Sequence, residues 1–330
     1  MKIAVLSDIH ANLPALVAVL EDAACQGIEL ESKAFWSLGD VVGYGPHPVE
    51  ALMFLKHYVD QKGWVMGNHD AMLADLVLPE DLETIQDQSG LIRAVTQKGE
   101  GVLIVARGLF FTKEDWGQTN STPIRGIELN RATIAGNADA EQFWRKEFVC
   151  ERKGPLEFNQ EGVDYVLVHG SQEDPLSRYI YPWHKEVLLQ KEFALLENRT
   201  TGHACPCVQF FGHTHVPTLV RAHSSKKEQI FPVPVWPQET YSLETELALV
   251  NPGSVGQPRN LDQRACYVIL DTVARTVTFR RVDYDWRTTA RDLQSGNFPS
   301  SFVSRLKTAR AAEKETPDDW LAYYQEAATR

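Results

Sequence analysis

Short apolar runs alternate with amphipathic stretches over the first seventy residues. Ile3–Leu6 is an unbroken apolar run and predicts a buried strand. Leu13-Pro14 then opens a helix, with Leu16, Val17, Val19 and Leu20 on its apolar side and Gly27 at its end. Ala34–Leu38 predicts a second strand, Pro48 starts a second helix carrying Leu52, Met53 and Leu55, and Gly63–Met66 predicts a third strand. Strands alternating with helices imply βαβ units and a sheet covered on both faces. Further strands are expected at Tyr165–Val168, Val208–Phe211 and Leu247–Val250, followed by a hairpin from Cys266–Leu270 to Val277–Arg281.

The remaining pattern is less regular. Residues 75–160 include a helix expected after Pro79, the apolar run Val102–Ala106 and the Gly/Thr/Ser/Asn-rich stretch Gly117–Gly126, and read as an inserted or capping region. Residues 222–246, rich in Ser, Lys and Pro, read as a long surface loop. From about 287 the pattern is helical and ends in the polar amphipathic segment Trp320–Arg330. The organisation expected is one α/β domain over 1–286 and a C-terminal helical extension over 287–330.

Composition narrows the function classes. The 330 residues are 43% hydrophobic and 23% charged, ordinary values for a folded globular chain. With 33 Lys+Arg against 44 Asp+Glu, the net charge is −11. Such a surface repels phosphate backbones and anionic lipid, so neither general nucleic-acid binding nor membrane binding is expected. No stretch approaches the ~18 consecutive apolar residues of a membrane helix. The first apolar run is too short for a leader and passes straight into Ser7-Asp8, so it reads as a strand. Five scattered cysteines (Cys25, Cys150, Cys205, Cys207, Cys266) do not form a disulfide framework, which points to a reducing, cytoplasmic setting.

The chemistry gathers at strand ends. The five strands end in Asp8-Ile9-His10, Gly39-Asp40, Gly67-Asn68-His69-Asp70, His169-Gly170 and Gly212-His213-Thr214-His215. In a largely parallel sheet these carboxyl ends share one edge, where α/β folds place their sites. Any one of these elements alone reads as a turn or a helix cap; five together do not. Asp8, His10, Asp40, Asn68, His169, His213 and His215 make seven donors. That exceeds the three or four ligands of one catalytic ion and suits two ions sharing a carboxylate. Mixed carboxylate, amide and imidazole donors fit manganese, iron or zinc better than a thiolate-loving metal. Cys205-Pro206-Cys207 lacks a matching second half and reads as structural.

These motifs resemble, in order and spacing, the calcineurin-like metallophosphoesterases. Gly43-Tyr44-Gly45-Pro46, His169-Gly170-Ser171, Asp174-Pro175 and Asn251-Pro252-Gly253-Ser254-Val255-Gly256 resemble a compact bacterial branch of that superfamily, over roughly 1–72, 163–220 and 247–285. The resemblance implies a β-sandwich flanked by helices and a dinuclear centre that hydrolyses a phosphate ester by attack of a bridging hydroxide. It implies that Asp8, His10 and His215 hold one divalent or trivalent ion, that Asn68, His169 and His213 hold the other, and that Asp40 bridges them. It places His69 at the phosphoryl or leaving-group oxygen, with Asp70 orienting its imidazole. The substrate implied is a small phosphorylated molecule, a nucleotide or a phosphoprotein.

Relatives often carry Pro-Arg where this chain has Gln172-Glu173, which removes a cation from the substrate side; Arg178 or Arg259 is the expected substitute. Asn12 is open between a substrate contact and the cap of the helix at Leu13. Tyr44 and His47 are open between pocket lining and a rigid turn. The alternative function is a non-catalytic scaffold of the same fold, which intact donors and His69 disfavour; nuclease activity would need a basic groove that this charge balance lacks.

Overall fold

The structure, a computed structural model, describes residues 1–75, 93–95, 103–105, 121–151, 154–183, 186–199, 206–223, 230–244, 247–310 and 316–330. Its strands are β1 Lys2–Leu6, β2 Phe35–Ser37, β3 Val59–Trp64, β4 Arg93–Val95, β5 Leu103–Val105, β6 Leu156–Gln160 and β7 Val163–Leu167. They continue with β8 Cys207–Phe210, β9 Thr218–Ala222, β10 Ile230–Val233, β11 Thr240–Ser242, β12 Leu247–Asn251, β13 Ala265–Asp271 and β14 Thr276–Val282. The helices are α1 Leu13–Cys25, α2 Pro48–Tyr58, α3 Asn68–Asp75, α4 Ser121–Ala135, α5 Ala138–Trp144, α6 Glu186–Arg199, α7 Trp286–Ser295, α8 Ser300–Thr308 and α9 Asp318–Thr329.

Two six-stranded sheets form the body, in the orders β11–β14–β13–β1–β2–β3 and β10–β9–β12–β8–β7–β6. They pack face to face, because Val5, Trp36, Leu38 and Val268 of one meet Tyr165, Leu167, Phe210 and Val250 of the other in one buried cluster. The outer face of the first sheet packs Leu6 and Phe35 against Leu16, Leu52 and Ile134 of the helices. That of the second packs Val166 and Leu249 against Leu189, Phe193 and Leu196 of α6. The fold is therefore a mixed α/β sandwich of helix, sheet, sheet and helix layers. The sandwich flanked by helices that the resemblance implies is the arrangement observed: each sheet is covered on both faces, by helices on one and by its partner sheet on the other. From Ile3 on, the central strand β1 is apolar and buried, as it would be whether helices or a second sheet covered its faces, so its sequence alone does not tell which covers it.

Three local readings change as well. Strand β3 starts at Val59 because it is an edge strand, whose exposed Asp60-Gln61-Lys62 hides its pattern. Within 222–246, β10 and β11 are edge strands, one in each sheet; Pro232 is tolerated where no ladder bond is needed from its nitrogen. Residues 121–160 belong to the body, since Ile127, Ile134, Ala140, Trp144 and Phe148 share the core of α2 and α3. Gly126, which blurs the helical pattern of α4, is needed because the Phe302 ring lies where a Cβ would project. Within the run 102–106, Leu103–Val105 pairs antiparallel with Arg93–Val95. The helix expected after Pro79 and the first cysteine of Cys205-Pro206-Cys207 lie outside the described residues.

Candidate metal centre

Each sheet contains three adjacent parallel strands, β1–β2–β3 in the first and β7–β8–β12 in the second. Their carboxyl ends carry all the donor motifs to one end of the sandwich. The two sheets are tied there through the site itself. His213 N donates to Asp8 Oδ2 at 3.1 Å and His169 Nδ1 to the Leu38 carbonyl at 2.7 Å. Val255 N and Gly256 N donate to the carbonyls of Ser7 and Asp8 at 3.0 and 2.9 Å.

Two donor groups result. Asp8, His10, Asp40 and His215 each offer a ligand atom within 4.8 Å of the others, as do Asp40, His169 and His213. Asp40 is common to both. Asn68 Oδ1 lies 3.1 Å from His169 Nε2, so it joins the second group. The imidazoles are held by their far nitrogens: His10 Nδ1 donates to Val42 O at 3.0 Å, His215 Nδ1 to Gln257 O at 2.6 Å and His213 Nε2 to Ser177 O at 3.0 Å. A carbonyl only accepts, so each bond fixes the tautomer and turns a lone pair toward the cluster. His10 Nε2 and His215 Nε2 then sit 3.2 Å apart, with His215 Nε2 3.1 Å from Asp8 Oδ1. Two lone pairs at that distance repel unless positive charge lies between them. Asp8 Oδ1 is also a buried oxygen with no hydrogen-bond partner among the described residues. Orphaned donors of this kind, with no thiolate, fit borderline divalent ions.

The electrostatics agree. Burial alone would raise the carboxyls of Asp8 and Asp40, but the facing histidines, His215 and His169 foremost, hold both below the usual carboxylate range. Burial keeps His10 and His213 neutral, well below the usual imidazole range. Burial also lowers His169, yet Asp40 outweighs it and lifts that imidazole to about 9. Asp8 and Asp40 are thus held as carboxylates, the form in which they can bind a cation.

Asp70 does not orient His69, and that expectation is corrected. Its Oδ1 accepts from Val41 N and Val42 N at 2.9 and 3.2 Å, and its Oδ2 from Gly67 N at 3.0 Å. The acid braces the loop after Asp40 against the loop after β3, and burial together with Asp40 lifts its carboxyl to about 7. His69 is positioned by its backbone, which donates to Asp40 Oδ1 at 2.8 Å. Its Nδ1 is buried without a partner among the described residues, its ring lies 4.9 Å from that of His10, and burial brings its imidazole down to about 4. Gly43, at φ +87°, lets the loop pass close enough that a Cβ would fall against the His69 ring.

Asn12 is buried and committed inside the protein. It caps α1 by accepting from Ala15 N, accepts from Thr289 Oγ1 at 2.8 Å, and donates to Gly256 O at 2.8 Å and Tyr284 Oη at 3.2 Å. The cap reading carries, and the substrate reading falls because every polar atom of the side chain is used. Arg178 is exposed and pairs with Glu173 at 3.7 Å. Arg259 instead lies at the centre, where its charge faces Asp8, Tyr44, Tyr179 and Tyr181 and depresses His69 and His215. Tyr44 lines the site, 4.7 Å from the His10 ring and 4.5 Å from that of His69, whereas His47 faces Asp292.

Three supports escaped the sequence reading. Ser7 Oγ donates to Asp8 Oδ2 at 2.6 Å. Asn251 Nδ2 donates to Gly212 O and Thr214 Oγ1 at 2.8 and 2.9 Å. Asn130, fully buried on α4, accepts from Gly43 N at 2.7 Å and donates to Gly45 O at 2.8 Å. Ser7 and Asn251 stand inside recognisable motifs, but nothing near Asn130 announces its partner.

Residues 1–217 match the calcineurin-like phosphoesterase family model, and the chain belongs to that family. Over nearly its full length it is similar to an uncharacterized protein of Methanocaldococcus jannaschii, 25% identical across 93% of this chain and 98% of the relative. The solved structure of a metallophosphoesterase from Sphaerobacter thermophilus superposes with a TM-score of 0.63 at 26% identity, covering 94% of this chain and 99% of that one. A stretch of 69 residues is 36% identical to a symmetrical bis(5'-nucleosyl)-tetraphosphatase of Psychromonas ingrahamii, covering 21% of this chain and 24% of that enzyme.

Proposed function

We propose that the chain hydrolyses a phosphoester at a dinuclear centre, with Asp8, His10 and His215 around one ion, Asn68, His169 and His213 around the other, and Asp40 shared. Manganese, iron and zinc suit the donors. The observation that carries this reading is the 3.2 Å approach of two imidazole nitrogens whose other nitrogens already donate to carbonyls. What bound cations supply at such a site is a water acidic enough to attack phosphorus and positive charge for the phosphoryl oxygens.

The chain's own residues do the rest. Asp70 and Asn130 hold the loop that presents Asp40 and Tyr44, so the donors need little rearrangement. Burial keeps His69 neutral, and a neutral imidazole donates an N–H to a phosphoryl or leaving oxygen. Arg259 adds a fixed cation on the substrate side. Small phosphorylated molecules, including nucleotides and dinucleotide polyphosphates of the kind named for the Psychromonas enzyme, fit this chemistry. The test is a panel of phosphomonoesters, phosphodiesters and nucleotides against manganese-loaded protein, with His69→Asn beside it. The variant should keep its metal and lose at least a hundredfold in kcat; normal kcat would refute the role given to His69.

A further inference from the structure

Beside the donor cluster, and sharing Arg259 and Thr214 with its surroundings, lies a cavity of about 230 Å³. Tyr181, Trp183 and Tyr324 form its aromatic wall, and Arg310 joins Arg259 in its lining. The wall continues a file of rings that starts in the centre. The His213 ring lies 4.0 Å from Tyr179 at 28°, Tyr179 lies 5.7 Å from Tyr181 at 4°, and Tyr181 lies 4.7 Å from Trp183 at 17°. Residues 179, 181 and 183 alternate along one segment, so their rings fall on one side and point the file away from His213.

Two residues that line this cavity each hold a buried polar atom without a partner among the described residues. Tyr324 is 2% exposed and its hydroxyl has no hydrogen-bond partner among the described residues; the same holds for the buried Nε of Arg259. The volume is below the ~300 Å³ lower end of drug-sized sites, so it admits one fragment of a substrate and not two. Tyr181 is stacked between Tyr179 and Trp183, so Trp183, the partly exposed end of the file, is the ring that a planar group would meet, and two guanidiniums favour an anion next to it.

Resting on the phosphoesterase reading, we propose that this cavity is the subsite for a planar aromatic group of the phosphate ester, carried on the scissile phosphate directly or through a sugar. The substrates it selects are nucleotides or aryl phosphates, in preference to phosphorylated sugars, polyols or phosphoserine peptides. Arg259 spans the junction between phosphate and ring, and Arg310 meets further negative charge.

The test reads binding on metal-free full-length protein, through quenching of tryptophan fluorescence and isothermal titration. The probes are adenosine monophosphate, phenyl phosphate and glycerol 3-phosphate. Adenosine monophosphate should bind at least tenfold more tightly than glycerol 3-phosphate. Phenyl phosphate matching adenosine monophosphate assigns the cavity to any aryl ester; phenyl phosphate falling to the level of the glycerol ester assigns it to nucleotides. Trp183→Leu should weaken the aromatic probes at least fivefold and leave glycerol 3-phosphate unchanged. Arg310→Ala, at an exposed position, gives a second reading that does not depend on the aromatic wall: it should weaken adenosine diphosphate more than the monophosphate. Equal affinity for adenosine monophosphate and glycerol 3-phosphate in the wild type overturns the proposal. Selective aromatic binding without hydrolysis of any phosphoester by the metal-loaded protein would overturn the phosphoesterase reading and leave the subsite standing.

Discussion

Replacing Asp40 with Asn separates a metal-binding role from a structural one. Asn keeps the shape of the side chain and an oxygen able to accept from His69 N, a bond of 2.8 Å in the native chain. It removes a charge that is 1% exposed and that repels Asp8, while forfeiting attraction to His169 at 3.5 Å. These two changes oppose each other, so the metal-free variant should melt within a few degrees of the wild type. Metal reverses the comparison, because Asp40 is the one carboxylate common to both donor groups. An ion present at a thousandfold excess over its Kd adds about 4 kcal/mol to the native state. With an unfolding entropy of roughly 2.1 cal/mol/K per residue, each kcal/mol moves the Tm of a chain this long by about 1.4 °C. Manganese should therefore raise the wild-type Tm by about 6 °C, raise that of Asp40→Asn by less than about 2 °C, and leave the variant without turnover. Differential scanning fluorimetry with and without manganese, alongside an aryl-phosphate assay, measures both. An equal manganese-induced shift in the two proteins would refute the assignment of Asp40 as the shared ligand.

Two further perturbations probe the scaffold. Asn130→Ala leaves Gly43 N–H and Gly45 C=O buried and unpaired, at about 1–3 kcal/mol each; a lower Tm and reduced kcat at normal metal content are expected, and an unchanged Tm would show that the loop does not lean on α4. Asp262 accepts from Arg264 at 2.6 Å and from Arg281, whose side chain is 1% exposed, at 2.9 Å. Asp262→Asn strands the Arg281 charge and should destabilise the fold by roughly 3 kcal/mol. Burial pushes the Asp262 carboxyl up, but the two guanidiniums outweigh it and the net shift is downward. Its contribution is therefore complete above the unfolded value of about 3.9 and lost as pH falls through the lower folded value. The stability gap between wild type and variant should be full at pH 6 and shrink below pH 4 in urea titrations; a gap independent of pH would exclude the ion pair as its source.

The parts of the site that sequence discloses are those whose residue type is demanded by chemistry at a strand end. Asp8, His10, Asp40, Asn68, His169, His213 and His215 follow apolar runs that read as strands, and the fold brings them together as their spacing implies. What stays hidden is set by residues remote in sequence. Asn130 reaches Gly43 across 87 positions from a helix disguised by Gly126. Asp70 stands beside His69 in the chain, yet its carboxylate turns to backbone, because two buried N–H groups of the Asp40 loop and one of the loop after β3 need an acceptor. Adjacency in sequence was the wrong guide to its partner. The two-sheet arrangement was likewise legible only through the family resemblance, since strands buried on both faces look alike whether helices or another sheet cover them.

Asp8, His10, Ala11, Asp40, Tyr44, His213 and His215 are seven of the fourteen non-glycine residues with positive φ among those described. Left-handed backbone disfavours an L-residue by roughly 1–2 kcal/mol, so the centre alone stores strain comparable to the whole stability of a typical domain, ~5–15 kcal/mol. Such strain persists only where the surroundings over-determine it. Here the determinants are specific: Ser254 Oγ donates to Asp8 O at 2.8 Å, Asn251 grips the loop of His213, Asp70 and Asn130 grip that of Asp40, and His10 N and Ala11 N donate to Asp40 O and Val41 O. All of these bonds act on backbone and none requires an ion. The loops therefore hold the donors near one another through bonds to backbone, and a cation between His10 Nε2 and His215 Nε2 would relieve the repulsion left at 3.2 Å. Donors held this way need little ordering to take up a cation, which is the physical reason that changes at Asn130 or Asn251, neither of them a donor, should reach the chemistry.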